Sequence, residues 1–278
     1  MLICSILEIE RKTNEFMIFI ICAMKCEASP IISMLKLMPD EERNWIYTGD
    51  GYHLVITGVG EKNVRDKLAG LPMPVNRKTD IFINIGVCGC VDESYPLGSV
   101  FLIDEIHYEN GSIPYYPDLL VKSDIPSAGC TTYSKVKTDR DCPTLLAEME
   151  AFAFYSECLR YVKSDRIHLL KIVSDYMVLS ELTKNDISGF VHKSRPLINK
   201  FIAALREYPE ETAHPDYSNY YDLYKFTTSI RTELDRLNMY YFYKHGNFPG
   251  PDIYEETKEP SNKKESLKIY HDIEKQLI

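Results

Sequence analysis

The stretch FMIFIICAM at residues 16–24 is the longest apolar run of the chain, and it has the length and composition of a buried β-strand. It is too short for a membrane-spanning helix, which needs roughly 18–20 apolar residues. The preceding acidic residues, Glu8, Glu10 and Glu15, differ from the positively charged start of a secretory leader. We therefore predict a strand here, in a soluble, cytoplasmic protein without membrane contact.

From this strand onward, short β-rich runs alternate with helical patterns, which is typical of an α/β sheet domain. The predicted strands are Met17–Ala23, His53–Thr57, Asp80–Ile85, Ser99–Asp104 and His168–Val173. The predicted helices are Pro30–Met38, Glu61–Leu71, Thr144–Tyr161 and Asp186–Arg206. Ser29 suits the N-cap of the first helix, because a proline is favoured at the first helical position.

The composition of the chain changes near residue 207. The segment 207–278 is rich in Tyr and charged residues and is divided by prolines, with helices predicted at Thr227–Tyr241 and Ser261–Gln276. We predict three parts: an N-terminal extension at 1–16, an α/β domain at 17–206, and a partly helical C-terminal extension at 207–278. The last part would serve packing or oligomerisation.

Composition also excludes several partners and cofactors. The net charge is −9 and no long run of Lys and Arg occurs, whereas a nucleic-acid binder usually carries a basic face. The eight cysteines lie mostly in apolar segments, and their spacing is not that of zinc ligands, so we predict reduced, mostly buried thiols. We expect no nucleic acid, no metal and no organic cofactor; His107 and His168 are interpreted as ordinary strand histidines.

Glycines or carboxylates follow most of the predicted strands. Gly58-Val59-Gly60 comes after the second strand and Gly86–Gly89 after the third, while Glu27 follows the first and Asp175 the last. Because the carboxyl ends of parallel strands meet at one edge of a sheet, we expect these residues to surround one pocket. The GVG turn has Asn63 where a dinucleotide fingerprint has its third glycine, which argues against NAD or FAD.

A third carboxylate, Glu150, lies within the apolar stretch LLAEMEAFAF at 145–154, where it either reaches solvent or is held for a purpose. Convergence of Glu27, Glu150 and Asp175 would suit cleavage of a glycosidic bond. One carboxyl group would act as general acid on the leaving group and one as general base on water, and the third would bind the sugar hydroxyls.

Seven short motifs follow one another between roughly Met17 and Phe201. They are IICAMKCE at 20–27, TGVG at 57–60, INIGVCG at 83–89, LGSV at 97–100, DEIHY at 104–108, EMEA at 148–151 and VSD at 173–175. In this order they resemble the nucleoside phosphorylase superfamily, and most closely its 5′-methylthioadenosine/S-adenosylhomocysteine nucleosidase branch. The resemblance implies a three-layer α/β/α fold with a central twisted mixed sheet, a homodimer, and a purine nucleoside as ligand.

The resemblance also implies a role for each matching residue. Asp175 would protonate or hydrogen-bond the five-membered ring of the base, and Glu27 would activate water for attack on the anomeric carbon. Glu150 would bind the ribose hydroxyls. The other predicted substrate contacts are Met24, Val87, Cys88, Gly89, Met149 and Ser174, with Tyr133 as a candidate for stacking on the base. The implied activity is hydrolysis of the N-glycosidic bond of a purine nucleoside of the methylthioadenosine/S-adenosylhomocysteine type.

Two alternatives stay open. Phosphorylases of the superfamily have an Arg two residues before the glycine that is Gly86 here, and a Ser or Thr directly after it. This chain has Asn84 and Val87 at those positions, which leaves a phosphate dianion without a guanidinium partner and favours water. The segment between Asn110 and Met149 is shorter than is usual in the family, so a non-catalytic nucleoside-binding or interaction module on the same fold is the second alternative.

Overall fold

The structure, a computed structural model, describes residues 16–73, 75–178, 182–207, 217–245, 248–250, 252–255 and 259–278. The chain divides into two compact units. The first comprises Met1–Leu119 and Ser123–Glu207, and the second Leu120–Lys122 and Tyr208–Ile278. The predicted N-terminal extension at 1–16 lies outside the described residues except for its last residue, so it stays a prediction.

The described part of the first unit contains nine strands and four α-helices. The strands are β1 (Ile18–Cys22), β2 (Met38–Pro39), β3 (Ile46–Gly49), β4 (Tyr52–Ile56), β5 (Ile81–Cys90), β6 (Val100–Tyr108), β7 (Ser127–Thr132), β8 (Leu146–Glu148) and β9 (Ile167–Asp175). The helices are α1 (Lys25–Leu35), α2 (Glu61–Ala69), α3 (Ala151–Cys158) and α4 (Lys184–Arg206). Within the described ranges of the whole chain, no helix is both long enough and apolar enough to cross a bilayer.

The strands form one mixed sheet in the order β2-β3-β4-β1-β5-β8-β7-β6-β9, and β9 pairs back onto β5. The neighbours β4, β1, β5 and β9 run parallel, so their carboxyl ends meet at one edge. Strands β5, β8, β7, β6 and β9 close into a ring. The predicted α/β class with a mixed sheet is confirmed, but the prediction did not include this closure.

Helices cover both faces of the parallel part of the sheet. All five residues of β1 are buried, as expected for a parallel strand covered on both sides. Phe19 belongs to a core cluster shared with α2 and α3, and its ring stacks on that of Phe82 at a centroid distance of 4.7 Å. The alternate residues of β1 face α1, which packs against α4. Each fully buried Phe or Ile side chain contributes about 1.5–3 kcal/mol of transfer free energy.

The first helix begins earlier than predicted. It starts at Lys25, so Ser29 is not its N-cap and Pro30 lies inside it. The backbone N–H of Met24 donates to the Glu27 carboxylate at 2.8 Å, which closes the first turn ahead of the proline. The prediction was wrong because it took the proline, and not this carboxylate, as the start signal.

The predicted helix Thr144–Tyr161 is wrong over its first seven residues, which include strand β8, and correct for α3. The Glu148 carboxylate accepts the backbone N–H groups of Glu150 and Ala151 at 2.8 Å each. These are donors that the start of a helix leaves unpaired, so the carboxylate satisfies them and α3 begins at Ala151. The sequence therefore crosses from strand to helix at Glu148–Glu150, within what had looked like one apolar helix.

The second unit contains the helices α5 (Ser218–Leu223), α6 (Thr228–His245), α7 (Asp252–Glu255) and α8 (Lys263–Leu277) among its described residues. The two helices predicted in this segment correspond to α6 and α8. The core is rich in tyrosine: the ring of Tyr254 stacks on Tyr217 at 4.8 Å and on Tyr220 at 5.3 Å. The buried Tyr254 hydroxyl donates to Asn238 Oδ1 at 2.6 Å, so this core is held by polar as well as apolar contacts.

Candidate active site

A cavity of about 270 Å³ lies where the parallel strands of the first unit end. This volume is close to the lower end of the roughly 300–1,000 Å³ of small-molecule sites. Its wall includes the three predicted carboxylates, Glu27, Glu150 and Asp175. The other predicted contacts that line it are Met24, Val87, Cys88, Gly89, Met149 and Ser174. The structure thus brings together nearly all of the predicted site residues, while their roles stay predictions.

Glu27 is the third residue of α1 and its side chain is directed toward β5. Only 2% of the residue is exposed. One carboxylate oxygen accepts the N–H of Met24, and the other accepts the N–H of Val87 at 2.9 Å. Gly86 permits this approach, because a Cβ there would lie 3.1 Å from Glu27 Oε1. Burial raises the pKa of Glu27 despite these hydrogen bonds, which moves this carboxylate toward the range of a general base.

Glu150 occupies the position directly before α3 and is buried. Its Oε1 accepts the backbone N–H of Gly60 at 2.7 Å, which fixes the carboxylate beside the turn that follows β4. Gly60 has a φ of 92°, a conformation that favours glycine. Burial, followed by the nearby charge of Glu148, raises the pKa of Glu150 to about 7. The carboxyl group therefore exchanges its proton near neutral pH.

A buried ion pair lies beside these two carboxylates, and sequence reasoning missed it. Lys171 of β9 is 1% exposed, and its Nζ contacts Glu148 Oε2 at 2.9 Å. Burial opposes the charge on Lys171, but Glu148 and Glu150 outweigh it, so the pKa of the lysine is raised. Lys171 in turn acts to lower the pKa values of Glu27 and Glu150. The one available signal was a lysine in the strand sequence IHLLKIV at 167–173, which is apolar apart from this lysine and His168.

Asp175 ends β9, and both of its carboxylate oxygens have donors. Ser174 Oγ donates to Oδ2 and the backbone N–H of Met177 donates to Oδ1, each at 2.8 Å. A Cβ on Gly89 would lie 3.1 Å from Asp175 Oδ1 and 2.9 Å from the Met177 side chain. Glycine at position 89 is therefore what allows β5 to run close beneath the aspartate.

The sheet sets the order of the three carboxylates. Glu150 is fixed beside the turn after β4, Glu27 contacts Val87 on β5, and Asp175 ends β9. Since β4, β1, β5 and β9 are consecutive neighbours about 4.8 Å apart, the anchors span about three strand spacings. The cavity therefore has an end at Asp175, an end at Glu150, and Glu27 between them.

Tyr133 is not among the described residues of the cavity wall; Val136 and Lys137 of the same loop stand there in its place. The Tyr133 ring lies 5.2 Å from Lys137 Nζ, and its backbone N–H donates to the Glu148 carbonyl at 2.8 Å. The sequence did not indicate which residues of this loop reach the cavity, because the segment between β7 and β8 contains no periodic pattern.

Asn84 and Val87 are the positions that the family resemblance linked to phosphate binding. Asn84 is buried on β5 and its Nδ2 donates to the Ile21 carbonyl at 3.1 Å. No arginine is found among the described residues that line the cavity, and Lys137 is the one cation there. The described wall thus lacks the bidentate group that holds phosphate best.

Neither a protein-family model nor a curated protein matches the sequence. Solved structures match in fold. The 5′-methylthioadenosine/S-adenosylhomocysteine nucleosidase of Chlamydia trachomatis aligns with a TM-score of 0.56 at 18% identity, over 67% of this chain and 99% of that one. Those of S. pneumoniae and Helicobacter pylori align with TM-scores of 0.56 and 0.55 at 19% and 11% identity, over 68% of this chain and 100% and 98% of theirs. The chain has the fold of these nucleosidases.

The resemblance to this nucleosidase family, predicted from seven ordered motifs, is confirmed at the level of the fold. The Chlamydia trachomatis nucleosidase has been solved bound to methylthioadenosine and bound to adenine. The nucleosidase fold of this chain carries a cavity lined by carboxylates at the carboxyl ends of its parallel strands, which is where α/β sheets bind ligands.

Proposed function

We propose that this protein hydrolyses the N-glycosidic bond of a purine nucleoside in the cavity of its first unit. The observation that carries the proposal is the alignment of Glu150, Glu27 and Asp175 along one sheet edge, each held by hydrogen bonds, in a chain with the nucleosidase fold. The adenine nucleosides methylthioadenosine and S-adenosylhomocysteine, in the names of its structural neighbours, are the reference substrates.

The three carboxylates divide the reaction between them. Asp175 donates a proton or a hydrogen bond to the five-membered ring of the base, so that the base accepts the electron pair of the breaking bond. Glu27 takes a proton from water as the oxygen attacks the anomeric carbon. Glu150 binds the ribose hydroxyls. Positive charge that develops on the sugar ring in the transition state is stabilised by the surrounding carboxylates.

Water is favoured over phosphate as the acceptor. Asn84 and Val87 stand where a phosphorylase has its anion-binding groups. The described wall contains Glu27, Glu150 and Asp175, besides Glu148, whose charge Lys171 neutralises, against the single lining cation Lys137. Such a wall repels a phosphate dianion, whereas it can accept hydrogen bonds from a neutral water. We expect phosphate-independent turnover.

The test is release of free base from methylthioadenosine, S-adenosylhomocysteine, adenosine and inosine, with and without inorganic phosphate. Glu27→Gln and Asp175→Asn should each lower kcat by about 10²–10⁴-fold, the usual contribution of a positioned acid or base. Glu157→Gln is the matched control, because this buried carboxylate of α3 pairs with Arg65 outside the cavity wall. Turnover that requires phosphate would reassign the protein to phosphorolysis, and nucleoside binding without any turnover would leave a binding module.

A further inference from the structure

The pairing of β9 with β5 shifts by one residue beside the cavity. Cys88 is the partner of Val173 and Gly89 is the partner of Asp175, so Ser174 is an extra residue of β9 and forms a β-bulge. Because side chains alternate between the two faces of a strand, one extra residue moves the next side chain to the opposite face. The Asp175 carboxylate accordingly lies beside Gly89, where a Cβ would be 3.1 Å from Oδ1. The bulge therefore directs Asp175 to the cavity wall and places Ser174 next to its carboxylate.

The two oxygens of the Asp175 carboxylate have donors of different kinds. Oδ1 accepts the backbone N–H of Met177 at 2.8 Å. An amide N–H can only donate, so Oδ1 stays an acceptor whether or not the carboxyl group carries a proton. Met177 has a φ of 55°, which is uncommon for a non-glycine residue, and its buried side chain packs where Gly89 leaves room. This turn leaves Oδ2 as the oxygen that carries the proton.

The Ser174 hydroxyl contacts Oδ2 and can pair with either protonation state of Asp175. Ser174 Oγ lies 2.8 Å from Asp175 Oδ2 and 3.2 Å from the carbonyl oxygen of Cys88, and the residue is 2% exposed. A hydroxyl has one proton, so it donates to one of these oxygens at a time. It donates to Oδ2 when Asp175 is ionised. When Oδ2 is protonated, the hydroxyl donates to the Cys88 carbonyl, and the two protons do not oppose each other.

We propose that Ser174 is a positioning residue whose hydroxyl turns from the Cys88 carbonyl to Asp175 Oδ2 as that oxygen gives its proton to the purine. The inference rests on the proposed function and goes beyond it by assigning the transferred proton to one oxygen. The Oδ2–H bond breaks as an N–H bond forms on the five-membered ring, and the purine takes the electron pair of the broken glycosidic bond. The hydroxyl then donates to the carboxylate as it becomes charged, which favours the charged form.

The other titratable groups around Asp175 do not replace this hydroxyl. Burial raises the pKa values of the Cys88 and Cys90 thiols of β5, and the charge of Asp175 adds to the increase, so both thiols are neutral. Arg140 Nε donates to the carbonyl of Tyr176, the residue after Asp175. The other charged groups of the described wall are Glu27, Lys137, Glu148, which pairs with Lys171, and Glu150. Variants of Ser174 leave all of these in place.

The experiment follows the protonation of Asp175 directly, by NMR of protein labelled with carbon-13 at the aspartate carboxyl groups, with Asp175→Asn identifying the signal. Ser174→Ala removes the donor that favours the ionised form. The Asp175 signal should therefore titrate at higher pH by about one unit or more, the usual effect of losing a hydrogen bond to a charged group. Ser174→Thr keeps the hydroxyl and should titrate as the wild type does.

Ser194→Ala is the matched control. Ser194 is also a buried serine, and its hydroxyl also has two acceptors, the carbonyl oxygens of Phe190 at 2.9 Å and Gly98 at 3.4 Å, but it lies outside the described cavity wall. Its removal should leave the Asp175 titration unchanged. A titration that Ser174→Ala does not move, or that Ser174→Thr moves equally, overturns the inference, because the hydroxyl would not be the group that serves Asp175.

Base release from methylthioadenosine by the same variants separates this inference from the proposed function. We expect kcat to fall about tenfold in Ser174→Ala and to recover in Ser174→Thr. A moved titration in a protein that cleaves no nucleoside supports the reversal of the hydroxyl, and the hydrolase proposal alone fails. Cleavage by the wild type with a titration that Ser174→Ala leaves in place supports the hydrolase and overturns the inference. Absence of both cleavage and movement overturns both.

Discussion

Replacing Lys171 with methionine tests the electrostatic account of the cavity. The lysine and its partner Glu148 are 1% and 0% exposed at their side chains, and their 2.9 Å contact is part of a group that includes Glu27 and Glu150. Breaking a buried pair by removing one partner typically costs about 3–5 kcal/mol, because the remaining charge has no compensation. We expect Lys171→Met to lose about that much free energy of unfolding at neutral pH.

The same substitution should alter the pH dependence of turnover. Lys171 lowers the pKa values of Glu27 and Glu150, so its removal raises both. If Glu27 acts as the base, it must be deprotonated, and the acid limb of the kcat/KM profile should move to higher pH. This second readout separates an electrostatic role from a merely structural one, which would lower activity without moving the limb.

Urea unfolding followed by circular dichroism measures the free energy of unfolding. The pH dependence of kcat/KM for base release measures the position of the acid limb. The double variant Lys171→Met/Glu148→Gln should recover part of the lost stability, because it removes the uncompensated charge as well. Lys200→Met, at an exposed lysine paired with Asp124, should behave as the wild type. A loss below about 1 kcal/mol in Lys171→Met, together with no recovery in the double variant, would refute the reasoning.

Three further results are expected. Gly89→Ala should lower kcat at least tenfold in the base-release assay, because its Cβ would meet the Met177 side chain at 2.9 Å; wild-type turnover would contradict the need for glycine. Burial lowers the pKa of His168 to about 3, while unfolded chains protonate histidine near 6.5. His168 should therefore contribute a loss of up to about 1.4 kcal/mol of stability per unit as pH drops below 6.5, and this contribution should be absent from urea titrations of His168→Leu. Tyr254→Phe removes the donor to Asn238 and should cost about 1–3 kcal/mol; an unchanged thermal midpoint would show that this hydrogen bond contributes nothing.

The sequence predicted those parts of the fold that carry their own pattern. Strands β1, β5 and β9 are predominantly apolar at their starts, so their existence was visible, and with it the sheet edge at which Glu27 and Asp175 were expected. Strand β8 has only three residues, and β7, SAGCTT, contains little that distinguishes a strand from a loop. They are strands because their neighbours in the ring supply the hydrogen bonds, which is a tertiary effect that local sequence does not record.

The same distinction holds for the site. Sequence motifs identified the three carboxylates Glu27, Glu150 and Asp175. The role of Lys171 in the site depends instead on its ion pair with Glu148, which lies 23 residues away in sequence. A lysine in an apolar strand indicates a buried charge, but only the fold shows which carboxylate neutralises it. The position of Lys137 had no signal, because the loop that carries it is set by the contacts of Arg140 with two other segments.

The closure of the ring also determines how this sheet meets other polypeptide chains. Because β9 pairs back onto β5, that side of the sheet ends without a row of unpaired backbone groups. Among the described strands the other side ends at β2, which is two residues long and contains Pro39, a residue with no N–H to offer. Long open strand edges are the templates on which aggregation by strand addition begins. A protein with this sheet should therefore resist that route to fibrils even when it is concentrated or partly heated.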